Sequence, residues 1–288
     1  MIRTFTSLLA IGLAVLFLAT GGLRADDIQP VSLRCEYLVN PLGIDEEKPR
    51  LSWRIESGTR GQKQTAYRLL VASSADQLAQ GVGDLWDTSR VESGQSVHLA
   101  YAGRPLGSHL TCHWKVRVWD KEGKESNWSE PAEWSMGLLE SNDWQGARWI
   151  GLEKEDAAAF QSKDGRTRLP ARYLRRNFEL AKPVARATAH VCGLGFFDLH
   201  LNGRRVGDRL MDPALSSYHK RAFYVTFDVG DHLQEGDNGI GALLGNGRYF
   251  SPRHNQPHHA FVKNPREGLV TFPKLRVLLR VEYRDGTV

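Results

Sequence analysis

The chain has 288 residues, 41% of them hydrophobic and 25% charged, which suits one or two folded domains and excludes a disordered chain. The net charge is +5, but the arginines (Arg166, Arg168, Arg172, Arg175, Arg176, Arg204, Arg205) are scattered along the sequence. No basic helix or basic-aromatic strand gathers them, so a solvated strand surface is expected and a nucleic-acid partner is not. Attraction to an acidic polysaccharide is the weaker alternative.

Residues 1–25 read as a secretory signal peptide. Arg3 supplies a positive start, Leu8 to Ala19 is an apolar run, and small residues lead to Ala25. The run is short for a bilayer span, although an N-terminal membrane anchor stays open as the other reading. The protein is expected to be secreted or periplasmic, with no membrane association after cleavage.

Residues 28–140 are expected to form one β-sandwich. Pro49 to Ile55, with Trp53 at its centre, and Ala66 to Ala72 read as strands, and Asp76 to Ala79 as a short helical turn. Leu110 to Asp120 is the clearest strand: Cys112, Trp114, Val116 and Val118 alternate with His113, Lys115, Arg117 and Trp119. Period-2 alternation is what a half-buried antiparallel strand requires. Asp120 to Gly123 makes a turn, and Trp134 to Leu139 closes the domain. Asn127-Trp128-Ser129 matches a glycosylation sequon, read as accidental.

Residues 141–171 are expected to be a linker, with the polar stretch Glu153 to Thr167 as a loop. Residues 172–288 follow as a jelly-roll-type sandwich. Its strands are placed at Tyr173 to Leu180, Ala185 to Val191, Phe196 to Leu201, Phe223 to Val229, Gly239 to Leu244 and Leu275 to Tyr283. Asn202-Gly203 between two of these runs predicts a type I′ hairpin, which needs positive φ at both central residues. Arg284 to Val288 reads as a turn entering a further strand, and the sequence is expected to be incomplete there. The fold class is therefore all-β.

Cys35, Cys112 and Cys192 lack metal-ligand spacing. A disulfide between Cys35 and Cys112 is one reading; three buried thiols are the plainer one. His254, His258 and His259 cluster beside Pro257, which opposes a metal-binding helix, and a polar loop is expected. The acids Asp45, Asp84, Asp87, Asp208, Asp212, Asp228 and Asp231 read as turn and cap residues, and no nucleophile or phosphate-loop motif occurs. No catalytic residue, metal or cofactor is assigned.

The first half resembles a fibronectin type III module. Leu51-Ser52-Trp53 carries the likeness early, and Trp114 to Val118 with Gly123 and Trp128-Ser129 carry it late. Trp114 stands where a Tyr is usual, which removes the expected corner hydrogen bond.

In the second half a longer ordered string appears: Asp198 to Asp208, Met211-Asp212-Pro213, Ser217 to Arg221, Tyr224, Phe227-Asp228-Val229, Gly236-Asp237-Asn238 and Leu243 to Tyr249. This string, with the linker Trp144 to Gly151, resembles the N-terminal region of bacterial α-L-rhamnosidases over roughly residues 30 to 288. The resemblance implies a glycoside hydrolase that releases terminal α-L-rhamnose with inversion. Both carboxylates of such an enzyme come from a following (α/α)₆ domain, which would be this chain's partner. The chain alone is expected to be inactive.

The loop Gly245 to Phe250 is the candidate contact surface. Asn246 and Arg248 could bond sugar hydroxyls and Tyr249 could stack, or the loop could pack on the catalytic domain. Arg248 stands where the family commonly has Trp, which weakens stacking. Rhamnose-containing glycans are the other expected partner. A free-standing carbohydrate-binding or adhesion protein is the alternative reading, and a degenerate gene product with no stable fold is a third.

Overall fold

The computed structural model describes residues 28–151, 169–218, 220–251, 256–257 and 272–288. Among these, strands in antiparallel ladders dominate, and α1 (Ala75–Ala79) is the one α-helix.

The first sandwich contains β1 (Gln29–Cys35), β2 (Arg50–Glu56), β3 (Ala66–Ala72), β4 (Trp86–Asp87), β5 (Val91–Glu92), β6 (Leu99–Ala100), β7 (Thr111–Trp119) and β8 (Ala132–Ser135). One sheet runs β1-β2-β6, and the other runs β4-β3-β7-β8 with β5 also on β3. The alternation in β7 holds from Cys112 to Val118: Cys112, Trp114, Val116 and Val118 are buried, while His113, Lys115 and Arg117 are half-buried; Trp119, expected on the outer row, is buried as well. Arg117 and Lys115 lie over the ring of Trp128, at 4.2 and 5.1 Å from its centroid.

Trp53 fills the space between the sheets at 1% exposure. A buried indole N–H needs an acceptor. It donates to Gln64 Oε1 at 2.9 Å, and Gln64 Nε2 in turn donates to the Ser93 and Gln95 carbonyls. Cys35, Cys112 and Cys192 are free, buried thiols, and burial is the main cause that pushes their pKa values up.

The stretch 141–151 holds more order than a linker. A 3₁₀ turn at Ser141–Trp144 is followed by β9 (Ile150–Gly151), which pairs with the start of β18 (Lys274–Tyr283). Glu153 to Thr167 lies outside the described residues.

The second sandwich adds β10 (Arg172–Leu180), β11 (Val184–Leu194), β12 (Phe197–Leu201), β13 (Arg204–Arg205), β14 (Tyr224–Asp228) and β15 (Gly236–Leu244). Its sheets run β10-β15-β12-β13 and β14-β11-β18-β9. Between them lie Ala187, Ala189, Val191, Phe197, Leu199, Leu201, Phe227, Leu244 and Leu275, the core of this half. A two-residue ladder, β16 (Phe250–Ser251) with β17 (Gln256–Pro257), follows β15. Asn202 and Gly203 both have positive φ, +49° and +76°, and join β12 to β13 as the hairpin rule requires.

Candidate functional site

The loop after β15 is fastened to its own domain. The amide of Gly245 donates to the Phe196 carbonyl at 2.7 Å. Asn246 Oδ1 accepts from both terminal nitrogens of Arg172, at 3.2 and 3.0 Å, while its Nδ2 donates to the Leu169 carbonyl at 2.8 Å. Burial lowers the pKa of that Arg172 guanidinium. Tyr249 is 3% exposed, and its ring meets Tyr218 edge-on at 5.0 Å. Burial raises its phenol pKa, and among the described residues its hydroxyl has no hydrogen-bond partner. Of the three residues expected to make contacts, Asn246 and Tyr249 are engaged inside the domain and Arg248 is exposed.

Three of the acids singled out in the sequence serve local geometry. Asp84 accepts from the amide and hydroxyl of Ser73, Asp87 pairs with Arg68 at 2.7 Å, and Asp228 accepts from the Gly230 amide. His254, His258 and His259 lie outside the described residues. Among the described residues no group of three or more His, Cys, Asp or Glu could hold a metal ion.

The more constructed surface is the seam between the sandwiches. Tyr224, at the start of β14, turns its hydroxyl to the first domain and accepts the Leu138 amide at 2.8 Å. Gly137 lies under that hydroxyl, and a β-carbon there would overlap it; one on Gly43 would overlap the Thr226 side chain. Close approach of the first-domain backbone to the Tyr224 and Thr226 side chains therefore depends on both glycines.

Around this contact the rings interlock. Trp144 meets Tyr224 at 5.8 Å, His190 of β11 meets Tyr224 at 5.9 Å, and His109, just before β7, meets His190 at 5.2 Å. Arg186 of β11 hydrogen-bonds Thr111 of β7, and Arg276 lies over Trp144 while donating to the Ala147 carbonyl.

His190 is 1% exposed and its Nδ1 bonds the Thr226 hydroxyl at 3.0 Å. Burial, then the neighbours His109, Arg280 and Arg186, lower its pKa to about 4. His109 is lowered too, first by burial. Both imidazoles are therefore neutral at pH 7, and among the described residues three of their four ring nitrogens have no partner. Tyr224 was visible in the sequence as part of the motif string; Gly43, His109, Gly137 and His190 carried no local signal, because their role is contact between distant segments.

Two sandwiches joined in series by a packed seam define a tandem β module. Comparison with known proteins places it more narrowly. Residues 30–140 match the family described as Rha78A-like, N-terminal immunoglobulin domain, and residues 182–288 match the alpha-L-rhamnosidase N-terminal domain.

An α-L-rhamnosidase of Formosa agariphila is 40% identical over 261 residues, covering 86% of this chain and 27% of that protein. The solved α-L-rhamnosidase from Dictyoglumus thermophilum superposes with a TM-score of 0.77 at 34% identity, covering 90% of this chain and 28% of that one. The native enzyme from Aspergillus terreus superposes at 0.73 with 27% identity, over 90% and 28%. The chain belongs to the α-L-rhamnosidase family as its N-terminal pair of domains, and it spans about a quarter of the length of these relatives.

Proposed function

We propose that this chain is the non-catalytic N-terminal part of an exported α-L-rhamnosidase, and that its two sandwiches hold and orient the catalytic domain. The observation that carries this reading is continuity. Likeness to the Formosa agariphila enzyme runs through 86% of the chain, across both sandwiches and the stretch that joins them, yet occupies only 27% of that enzyme. A packed seam, with Tyr224 against the Gly137–Leu138 backbone, suits a part whose task is to fix direction.

In this reading bond cleavage belongs to an (α/α)₆ domain. Its paired carboxylates would stand roughly 6.5–9.5 Å apart, one protonating the leaving oxygen and one activating water, so that the anomeric centre inverts. No residue of the present chain has a part in that step. Export rests on the apolar run Leu8 to Ala19 behind Arg3. Among the described residues no helix is long and apolar enough to cross a membrane.

Two measurements test the proposal. The purified chain is expected to give no turnover of an aryl α-L-rhamnoside; measurable turnover would sink the non-catalytic role. The genomic sequence downstream of the Val288 codon is expected to encode an (α/α)₆ domain. A stop followed by unrelated sequence would instead favour a free-standing carbohydrate-binding or adhesion protein. N-terminal sequencing of the mature protein checks export, with a start near Asp26 expected.

A further inference from the structure

The connection from β13 to β14 carries apolar side chains that its own domain leaves bare. Leu210 and Met211 are the most exposed aliphatic side chains among the described residues, at 73% and 69%. Leu215 at 54% and Phe223 at 40% belong to the same connection. One exposed leucine on a surface is ordinary, but four large apolar side chains on a single connection mark a place that something else covers.

The backbone beneath these side chains is held. The Asp212 carbonyl accepts from the Phe197 amide at 2.9 Å, and the neighbouring Pro213 is buried. Arg205 Nη2 donates to the Arg209 carbonyl at 2.6 Å, and its Nη1 to the Gly207 carbonyl at 3.3 Å. The Ser216 hydroxyl donates to the Arg221 carbonyl at 2.8 Å. Tyr218 meets the buried ring of Tyr249, so the connection packs on the 245–250 loop. Its polar anchors face the domain and its apolar tips face water.

Met211 adds an independent sign. Its φ is +61°, in the left-handed region that residues other than glycine seldom adopt. No internal packing rewards this, because the side chain lies largely in solvent. Backbone strain of this kind persists where it aims a side chain at a partner.

The accompanying charges indicate the kind of partner. Asp208 and Asp212 stand in the same connection as Arg209, Lys220 and Arg221. An anionic lipid surface selects cations without carboxylates, and this mixture does not suit it. Leu, Met and Phe among charges of both signs match a protein interface with an apolar centre and a polar rim. A backbone fixed before contact lowers the ordering cost of association. Phe223 also runs directly into Tyr224, whose hydroxyl makes the seam contact at Leu138, so the surface continues from an interface that already joins domains. The greater part of the Formosa agariphila relative, all but the 27% that this chain matches, lies outside the two sandwiches.

We propose that Leu210, Met211 and Leu215 form the docking surface for the catalytic domain of the same polypeptide. This rests on the reading of the chain as the N-terminal part of an α-L-rhamnosidase, and it moves the contact from the 245–250 loop to the connection packed on it.

Met211 is the probe for its own burial. Of the three methionines, Met136 is 1% exposed and Met1 precedes the apolar run at the N-terminus. Hydrogen peroxide transfers an oxygen atom to an accessible thioether, giving the sulfoxide and water. The present chain and the full-length enzyme expressed from the whole gene are exposed to peroxide, and the peptide holding Met211 is followed by mass spectrometry. Met211 is expected to oxidise about tenfold more slowly in the full-length enzyme, with Met136 protected in both. Leu210→Ser combined with Leu215→Ser should restore fast oxidation there, while the melting temperature of the present chain stays unchanged. Equal rates in the two wild-type proteins overturn the proposal. Slow oxidation in the present chain together with a dimer in sedimentation assigns the surface to a second copy and overturns it as well. A gene with no catalytic domain after the Val288 codon defeats the underlying reading and the proposal with it, an outcome seen in the DNA and not in the oxidation rates.

Discussion

The imidazole of His109 lies 5.2 Å from that of His190, the rings inclined at 62°, and together they bridge the two sandwiches. Both are held neutral by burial, with the cations Arg186 and Arg280 close enough to oppose protonation. Asp143 and Glu282 act on His109 in the other direction. Glu282 is itself bonded to Arg280, which leaves burial as the ruling effect.

That arrangement makes the seam sensitive to acid. In the folded state the pKa of His190 is lowered from 6.5 to about 4, so the unfolded chain takes up the proton first. The contribution is fully present above about pH 6.5 and is lost as pH falls towards 4, amounting to about 3 kcal/mol at most. Urea midpoints measured from pH 7.5 to 4.5 should fall for wild type and fall less for His190→Gln. Parallel slopes for the two proteins would rule out His190 as a source of the acid sensitivity.

Gly137 and Tyr224 should be energetically coupled. Gly137→Ala forces the new methyl into the Tyr224 hydroxyl and is expected to cost about 1–3 kcal/mol through overpacking. Tyr224→Phe leaves the Leu138 amide without its acceptor, at a cost of about 1–3 kcal/mol. Removing the hydroxyl relieves the closest overlap and leaves only the Gly43 carbonyl at 2.9 Å, so the double variant should cost less than the sum. An additive cycle in urea denaturation would show that the two residues do not meet in solution.

In the first sandwich, Gln64→Leu strands the buried Trp53 N–H and frees the Ser93 and Gln95 carbonyls. The expected loss is about 1–3 kcal/mol. Tryptophan fluorescence should report earlier unfolding of this half, while hydrogen exchange in β11 and β18 stays at wild-type rates.

The loop after β15 depends on Asn246. Asn246→Ala removes one acceptor of the half-buried Arg172 guanidinium, whose Nη1 also donates to the Pro170 carbonyl, and the donor to Leu169, for an expected loss of about 1–2 kcal/mol. Amides of residues 245–250 should exchange faster. Unchanged protection would mean that the Pro170 carbonyl alone holds Arg172 in place.

Local patterns in the sequence reached the strands because their causes are local. Alternation along β7 needs only nine consecutive residues, and the β12–β13 hairpin needs only Asn202-Gly203. The ordered string from Asp198 to Tyr249 was likewise enough to indicate the family. The same string pointed to the 245–250 loop as a contact surface, but it could not reveal that Asn246 turns inward to Arg172 or that Tyr249 lies buried against Tyr218. Those contacts join segments far apart in the chain.

The sequence by itself therefore determined an all-β chain of two successive sandwiches and the family to which they belong. Tertiary structure decided the seam and the rows of side chains that share a sheet face. Gly137 under Tyr224, His109 beside His190, and Gly241 between Arg175 and His200 become neighbours only through docking and strand register. A register slip of one residue would send every outward side chain to the opposite face. No periodicity within a single strand records which distant residues share a row, because packing between sheets and domains sets it.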